Sequence, residues 1–431
     1  MTVGGTNPPE DQLVLSDDFG PVRVEKFRLD GAEIVRTVGR RDGTASESRI
    51  PASSRTQHLP VSERFDSEWL MSRIAPPLPH AGDPLRIVDL FAGSGGLSLG
   101  VAEAARAVGY RPVHVLAAEL ESAYLSVFER NLSPSLKHCG PVEAIFDGTV
   151  GAALTPSERA LRDKCGTVNI VAGGPPCQGH SNLNNHTRRD DPKNVLFERM
   201  ARAAEVLEPD HVLIENVPGV KHDKGGVFDR TLTALAKLGY AIDEAKIAAE
   251  KVGVPQRRHR AFIVASRTAP VYEGFLDEAV RLHGVAERSV GWACGDLLDV
   301  ASDHPFDSST ESTPVSQDRI DWLFENDEHD LPDCLRPDCH RTKRHTYKSV
   351  YGRLFWDQPA WTITTGFTVM GQGRFIHPLR RRVITPHEAA RLQFFPDFFD
   401  FGDQNRTGYA KMIGNAVPPK LAYIIGVELF R

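Results

Sequence analysis

The chain has 431 residues, 41% of them hydrophobic and 25% charged, which is ordinary for a folded soluble protein and long enough for more than one lobe. It contains no apolar run of about 18 residues to cross a bilayer, and MTVGGTNPPEDQ lacks the layout of a secretory leader, so a membrane role is excluded and a reducing cytoplasm is expected, with the six cysteines mostly as thiols. A formal net charge of −6 excludes a uniformly basic nucleic-acid coat but leaves room for local basic faces.

Residues 1–84 read as an N-terminal extension of unassigned role, with a hairpin in PVRVEKFRLDGAEIVRTVGRRDG and a Ser- and Pro-rich stretch ending at APPLPHAGDP. From Leu85 apolar runs alternate with helical patterns. LRIVDLFAG, VHVLAAE, VNIVAGG, HVLIENV and RAFIVAS read as strands, and LSLGVAEAARAVG, SAYLSVFERNL, NVLFERMARAAEVL and VFDRTLTALAKLG as helices. That rhythm predicts an α/β lobe over 85–268, a doubly wound, mostly parallel sheet covered on both faces. It fades over 269–375, where a smaller irregular lobe is expected, and a helical pattern returns in PKLAYIIGVELF within 376–431.

Three strand ends carry chemistry-bearing residues. IVDLFAGSGGLSLG sets Asp89, Phe91, Gly93, Gly95 and Gly96 at the turn from the first strand into its helix, where missing side chains let a ligand reach backbone. Gly100 falls too late for a G-x-G-x-x-G dinucleotide register, which favours S-adenosylmethionine over a pyrophosphate cofactor. Glu119 ends the second strand, the usual place for an acid that bonds ribose hydroxyls. VAGGPPCQGHSNLNN presents Cys177 from a loop stiffened by prolines, LIENVPGV ends a strand on Glu215, and GVPQRRHRAFIV delivers Arg258 and Arg260 just before another strand. The carboxyl ends of neighbouring parallel strands meet at one crevice, so a thiol, an acid and guanidinium groups are expected to converge there.

At these segments, and over most of Leu85–Arg431, the sequence resembles the DNA cytosine-5 methyltransferase family. RRVITPHEAARLQFFPDFF and KMIGNAVPP look like its last two motifs. The resemblance implies a Rossmann-like, S-adenosylmethionine-dependent methyltransferase fold in which Cys177 is the nucleophile, Glu215 the acid, and Arg258 and Arg260 hold the target base. Asn415 and Val417 match the segment that returns to the cofactor, and Asp147, Pro176 and Leu196 complete the cofactor-binding set. His180 stands where members commonly carry Phe. The activity implied is methyl transfer to carbon 5 of a flipped-out cytosine in double-stranded DNA, by a cytoplasmic, nucleoid-associated monomer. A cognate restriction endonuclease or phage-defence components are the usual context for stand-alone members.

The region 269–375 is then the expected target-recognition lobe. Arg336, Arg341, Lys343, Arg344, Lys348 and Arg353, followed by Arg380, Arg381 and Arg382, suggest a phosphate-binding face. Thr362 and Thr364 are candidate phosphate contacts. Cys334, Cys339, His340 and His345 lack the paired C-x-x-C spacing of a zinc site, so no metal is expected there. Two other readings share the motifs: an RNA cytosine-5 methyltransferase, disfavoured by the large irregular lobe, and a non-catalytic binding module, disfavoured by the intact Cys177, Glu215 and Arg260.

Overall fold

The computed structural model describes residues 24–79, 82–176, 196–222, 225–341 and 350–431. Its centre is a seven-stranded sheet. In chain order this sheet is built from β4 (Pro84–Leu90), β5 (Arg111–Glu119), β6 (Leu136–Cys139), β7 (Ile170–Gly173), β8 (His211–Asn216), β9 (Ala241–Ala248) and β11 (His259–Ser266). In space the order is β6-β5-β4-β7-β8-β11-β9. The strands from β4 to β8 pair in parallel, and β11 runs antiparallel to both β8 and β9. The expectation that RAFIVAS continues the parallel series is therefore corrected: it enters the sheet reversed. β6 and β9 were also not anticipated.

Side chains alternate across the sheet, as the two-residue period of a strand requires. Along β8 and β11, Leu213, Phe262 and Val264 join one apolar core, while Val212, Ile214, Ala261, Ile263 and Ala265 join the core on the opposite face. The first core packs beneath α2 (Gly96–Val108) and α13 (Pro419–Phe430), the second beneath α5 (Glu198–Leu207) and α6 (Val227–Lys237). Helices on both faces bury a sheet whose central strands are largely apolar, with polar residues gathered toward the strand ends.

The N-terminal segment forms the antiparallel sheet β1 (Glu25–Asp30), β2 (Glu33–Gly39) and β3 (Ala45–Pro51), followed by α1 (Val61–Met71). The expected hairpin is the β1–β2 pair. Ile34, Val38, Ile50, Phe65 and Trp69 lie in the same core as α2 and α13, so these elements are welded onto that face of the large lobe. His283 bridges the weld, its Nδ1 3.0 Å from Glu25 and its Nε2 3.0 Å from Glu428. Burial alone would depress its pKa, but the two carboxylates raise it to about 9.

Beyond β11, the early elements of the 269–375 region also pack on the large lobe. Phe275 and Leu276 of α7 (Phe275–Leu282) and Ala293 of α8 (Val290–Cys294) belong to the first core. A separate small core gathers Ile320, Leu323, Leu331, Tyr351, Met370, Ile376 and Val383, so the small lobe extends past Phe375 to Val383. No helix among the described residues is long and apolar enough to cross a membrane.

α13 and the residues just before it lie directly on α2. A Cβ built on Gly100 would lie 2.1 Å from Pro419 O and 2.7 Å from Ala422 Cβ, and one on Gly96 would lie 2.6 Å from Val417 O. The glycines of the expected cofactor turn thus also let the C-terminal segment lie directly on α2. Gly100→Ala gains about 1 kcal/mol of helix propensity but overpacks this contact, and a net loss of roughly 1–3 kcal/mol is expected. Urea unfolding checks it, and an unchanged or raised midpoint contradicts the assigned packing.

Candidate active site

β4 ends in the turn that the sequence marked for a cofactor. Asp89 is 1% exposed: its Oδ2 accepts a 2.5 Å hydrogen bond from Ser98 Oγ, and its Oδ1 has no partner among the described residues. Burial, opposed by the Ser98 bond and aided by the nearby Glu119 charge, pushes the Asp89 carboxyl up to about 7. Phe91 adopts φ 55°, a left-handed conformation that costs a non-glycine residue roughly 1–2 kcal/mol. Gly93 follows at φ 53°, with nothing within 4 Å of where its Cβ would be. Its N–H donates to Glu119 Oε2 at 2.8 Å, and the N–H of Glu121 donates to Glu119 Oε1 at 3.0 Å. The end of β5 and the glycine turn are therefore one unit.

Other members of the cofactor set are distributed around this unit. Asn415, at the end of α12 (Arg406–Asn415), is hydrogen-bonded to Tyr124 of α3 (Ser122–Leu132), and Val417 is buried against α2. Gly95 takes φ 100° at the start of α2, where a Cβ would press on Leu132 and Phe128. Asp147 is exposed and accepts from Thr155 Oγ1 at 2.6 Å. Pro176 and Leu196 are partly buried and border a stretch outside the described residues, which contains Cys177 and His180.

Glu215 sits at the end of β8, buried, with Oε1 2.8 Å from Nε of Arg260. Burial raises its pKa above the ordinary carboxylate value, against the lowering influence of Arg260 and Arg258. Its Oε2 is 3.1 Å from where a Cβ on Gly174 would be, and the next residue, Asn216, donates through Nδ2 to Pro175 O at 3.2 Å. The start of the Pro-Cys loop is thereby pinned against the acid.

Arg258 departs from the expectation that it holds a base alongside Arg260. It is almost fully buried and donates to Ile363 O at 2.8 Å, Gly414 O at 3.1 Å and Ala416 O at 3.0 Å. The short strand β10 (Gln256–Arg257) ends before β11 begins, so the two arginines do not share one strand face. Two buried amides reinforce this knot and were not singled out in the sequence. Gln256 accepts from Ile363 N at 2.8 Å and donates to Gln393 Oε1 at 3.0 Å, while Gln393 donates to Ile413 O at 2.6 Å. Their only sequence signal is their place inside the motifs, because what defines them is a distant carbonyl.

The expected basic face is largely committed elsewhere. Arg353 is buried, donating to Pro378 O at 2.8 Å with its guanidinium 4.1 Å over the ring of Phe324, and Arg336 donates to Leu331 O at 2.9 Å. Arg380, Arg381 and Arg382 pair with Asp299, Asp321 and Glu388. Arg341 is exposed and paired with Asp338, and Lys343, Arg344 and Lys348 lie outside the described residues. Thr362 Oγ1 donates to Arg257 O at 2.7 Å, and Thr364 Oγ1 accepts from Gly366 N at 3.3 Å. Among the described residues no group of three or more His, Cys, Asp or Glu side chains is arranged to hold a metal; Cys334 is exposed, and the side chains of Cys339, His340 and His345 are not described.

A family model for C-5 cytosine-specific DNA methylases matches residues 85–431. The chain belongs to this family. It is a DNA (cytosine-5)-methyltransferase, and DNA is its substrate. Type II methyltransferase M1.BsuMI of Bacillus subtilis (strain 168) is 47% identical over 95% of this chain and 95% of its own. Type II methyltransferase M.Eco47II of Escherichia coli is 29% identical over 79% of this chain and 77% of its own. Among solved structures, a prophage-encoded DNA modification methyltransferase of E. coli superposes with a TM-score of 0.56 at 23% identity, covering 80% of this chain and 98% of that one. The Dnmt2 methyltransferase of S. pombe gives 0.55 at 17%, with 80% and 98% covered. At those identities the superpositions speak for the fold, and the fold agrees.

In this methyltransferase Arg260→Leu should raise the titration of Glu215 further, since the nearest cation is lost. Carbon-13 titration of the carboxyl reads the shift, and a fall would contradict the pairing. Because the folded pKa of Glu215 already exceeds its unfolded value, this group's contribution to stability is complete below the unfolded pKa and is lost as pH rises through the folded one. Glu215→Gln should therefore flatten the decline of stability as pH rises above the ordinary carboxylate range, as read by denaturant midpoints. An equally steep decline would place the titrating group elsewhere.

Proposed function

We propose that this enzyme uses S-adenosylmethionine to methylate carbon 5 of a cytosine extruded from double-stranded DNA, through a covalent bond to Cys177. The observation that carries the reading is Glu215: buried, with a raised pKa, bonded to Arg260, and set against the start of the loop that leads to Cys177. A carboxyl inclined to keep its proton suits hydrogen bonding or proton donation to a ring nitrogen, which a solvated glutamate does poorly.

Residues around the β4 turn fit the cofactor. Asp89 Oδ1 and Ser94 Oγ are buried without partners among the described residues, Glu119 closes β5, and the strained Phe91 and open Gly93 leave backbone accessible. Asp89, Phe91, Gly93, Glu119, Asn415 and Val417 are the residues proposed to hold it, with Asp147, Pro176 and Leu196 at the border. Gly95 and Gly96 serve the packing of the turn. When bound, S-adenosylmethionine supplies an electrophilic methyl group.

Cys177 thiolate adds to carbon 6, forming the S–C6 bond, while Glu215 protonates N3 and accepts the displaced charge into a neutral ring. Arg260 orients Glu215, and Arg258 acts at one remove, tying the Ile363 and Asn-Ala-Val segments together. After methyl transfer, loss of the carbon 5 proton to water, elimination of Cys177 as thiolate and return of the N3 proton to Glu215 restore the neutral aromatic ring and the starting acid. A duplex hides carbon 6 within its stack, so the base must be swung out, and the region 269–375 is the proposed reader of the target word. The type II relatives support a restriction-modification setting, and a cognate endonuclease and a monomeric enzyme acting on the host genome are part of the proposal.

Labelled S-adenosylmethionine offered with a mixed-sequence duplex, a matched RNA pool and no nucleic acid tests this, followed by bisulfite sequencing. Label should appear in DNA at one cytosine context, disappear in Cys177→Ala, and form roughly 10²–10⁴ times more slowly in Glu215→Gln. Label confined to RNA, or Cys177→Ala retaining more than about a hundredth of wild-type turnover, would overturn the reading.

A further inference from the structure

Trp361 is fastened to the strand that enters the active site, yet its indole is left in solvent. β12 (Ala360–Trp361) pairs in parallel register with β10, placing Trp361 opposite Arg257, three residues before Arg260. The segment just after it is anchored by Thr362 Oγ1 donating to Arg257 O, by Ile363 N donating to Gln256 Oε1, and by Arg258 donating to Ile363 O. Ala360, Ile363, Gln256 and Arg258 are all buried, so this backbone has little freedom. Within that rigid frame Trp361 remains 37% exposed.

Its other neighbours belong to the small lobe. The guanidinium of Arg374 lies 5.5 Å from the Trp361 ring centroid and 5.4 Å from that of Phe355, on which His329 stacks at 3.9 Å. Arg374 is itself buried and donates to His329 O and Arg353 O. The indole is thus the solvent-facing end of a tier of flat groups running from the small lobe to the active-site strand. Singly exposed apolar residues are common on protein surfaces, but an aromatic ring held at fixed geometry beside the crevice offers a preformed flat face for a ligand to cover. At this place, in a DNA methyltransferase, the occupant whose chemistry matches is a nucleobase, since every base offers a π-face that an indole can cover, while Arg374, paired with Asp330, serves to fix the ring from below.

We propose that Trp361 is a positioning residue that stacks on a nucleobase adjacent to the extruded cytosine. The proposal rests on the reading that the target base enters the crevice beside Glu215. Aromatic stacking on one base corresponds to a change on the order of tenfold in affinity. With duplex carrying the target word, Trp361→Ala should raise KM for DNA roughly tenfold, with kcat, cofactor binding and melting temperature little changed, and Trp361→Phe should restore most of the loss. Duplex should also quench intrinsic fluorescence in the wild type more than in Trp361→Phe. That optical readout does not require turnover, so its presence without methyl transfer would indict the methylation reading and leave the contact standing. An unchanged KM in Trp361→Ala, equal quenching in both proteins, or a loss of stability that Phe does not repair would overturn the proposal.

Discussion

The reversal of β11 is the constraint on which the catalytic geometry rests. In a wholly parallel sheet every strand begins at the edge remote from the crevice, and residues just before a strand would lie about one strand length, ~25 Å, from the carboxyl ends of its neighbours. Because β11 is antiparallel to β8, its first residues lie beside the last residues of β8, with Ala261 paired to Asn216 and Phe262 to Glu215. Arg260 then reaches the Glu215 carboxylate without any long loop. The same reversal lets β10 and β12 form at the crevice, and with them the knot of Arg258, Gln256 and Gln393.

The second requirement is that the chain's last fifty residues come back to the first strand of the sheet. That return depends on contact between backbones: Val417 O and Pro419 O rest where side chains on Gly96 and Gly100 would be. The N-terminal elements then cover the outer side of the returned segment. Asp66 of α1 pairs with Lys420 at 2.9 Å and with Arg288 at 2.7 Å, and the ring of Trp69 stacks at 5.7 Å on Phe394. The segment from Val417 to Lys420 is therefore held from two sides, by α2 beneath and by a layer whose residues lie outside the span of the family model.

The sequence disclosed the β4, β5, β7, β8 and β11 segments because each is a compact apolar run or a clear alternation. β6 escaped because it is four residues long and half polar, and β9 because AIDEAKIA, an edge strand, buries only alternate positions and carries charges on the others. The direction of β11 was illegible for a different reason: a run of alternating side chains reads the same in either sense, and only its partners fix it. The positions of Glu119 and Glu215 at strand ends and of Arg260 at the start of β11 were legible because each sits at the edge of a clear apolar run. Arg258 looked equivalent to Arg260, two residues away, and the break between β10 and β11 makes them different. The acids that pair with Arg380 and Arg381, Asp299 and Asp321, lie far off in sequence, so the pairing could not be read from the run of arginines.

That difference between the two arginines bears on the acid proposed for ring N3. Two guanidinium groups near one carboxyl would ordinarily hold it ionised, since an opposite charge within about 4–6 Å lowers a carboxyl pKa by one to three units. Here burial prevails and the Glu215 pKa lies above its ordinary value. Arg258 directs its guanidinium N–H groups to the carbonyls of Ile363, Gly414 and Ala416, and among the described residues Arg260 is the cation that bonds the carboxylate directly. Arg258 still acts on Glu215 through its charge, and burial outweighs both guanidinium groups. Turning Arg258 toward Glu215 would add a second direct ion pair and shift that balance away from the proton that burial favours.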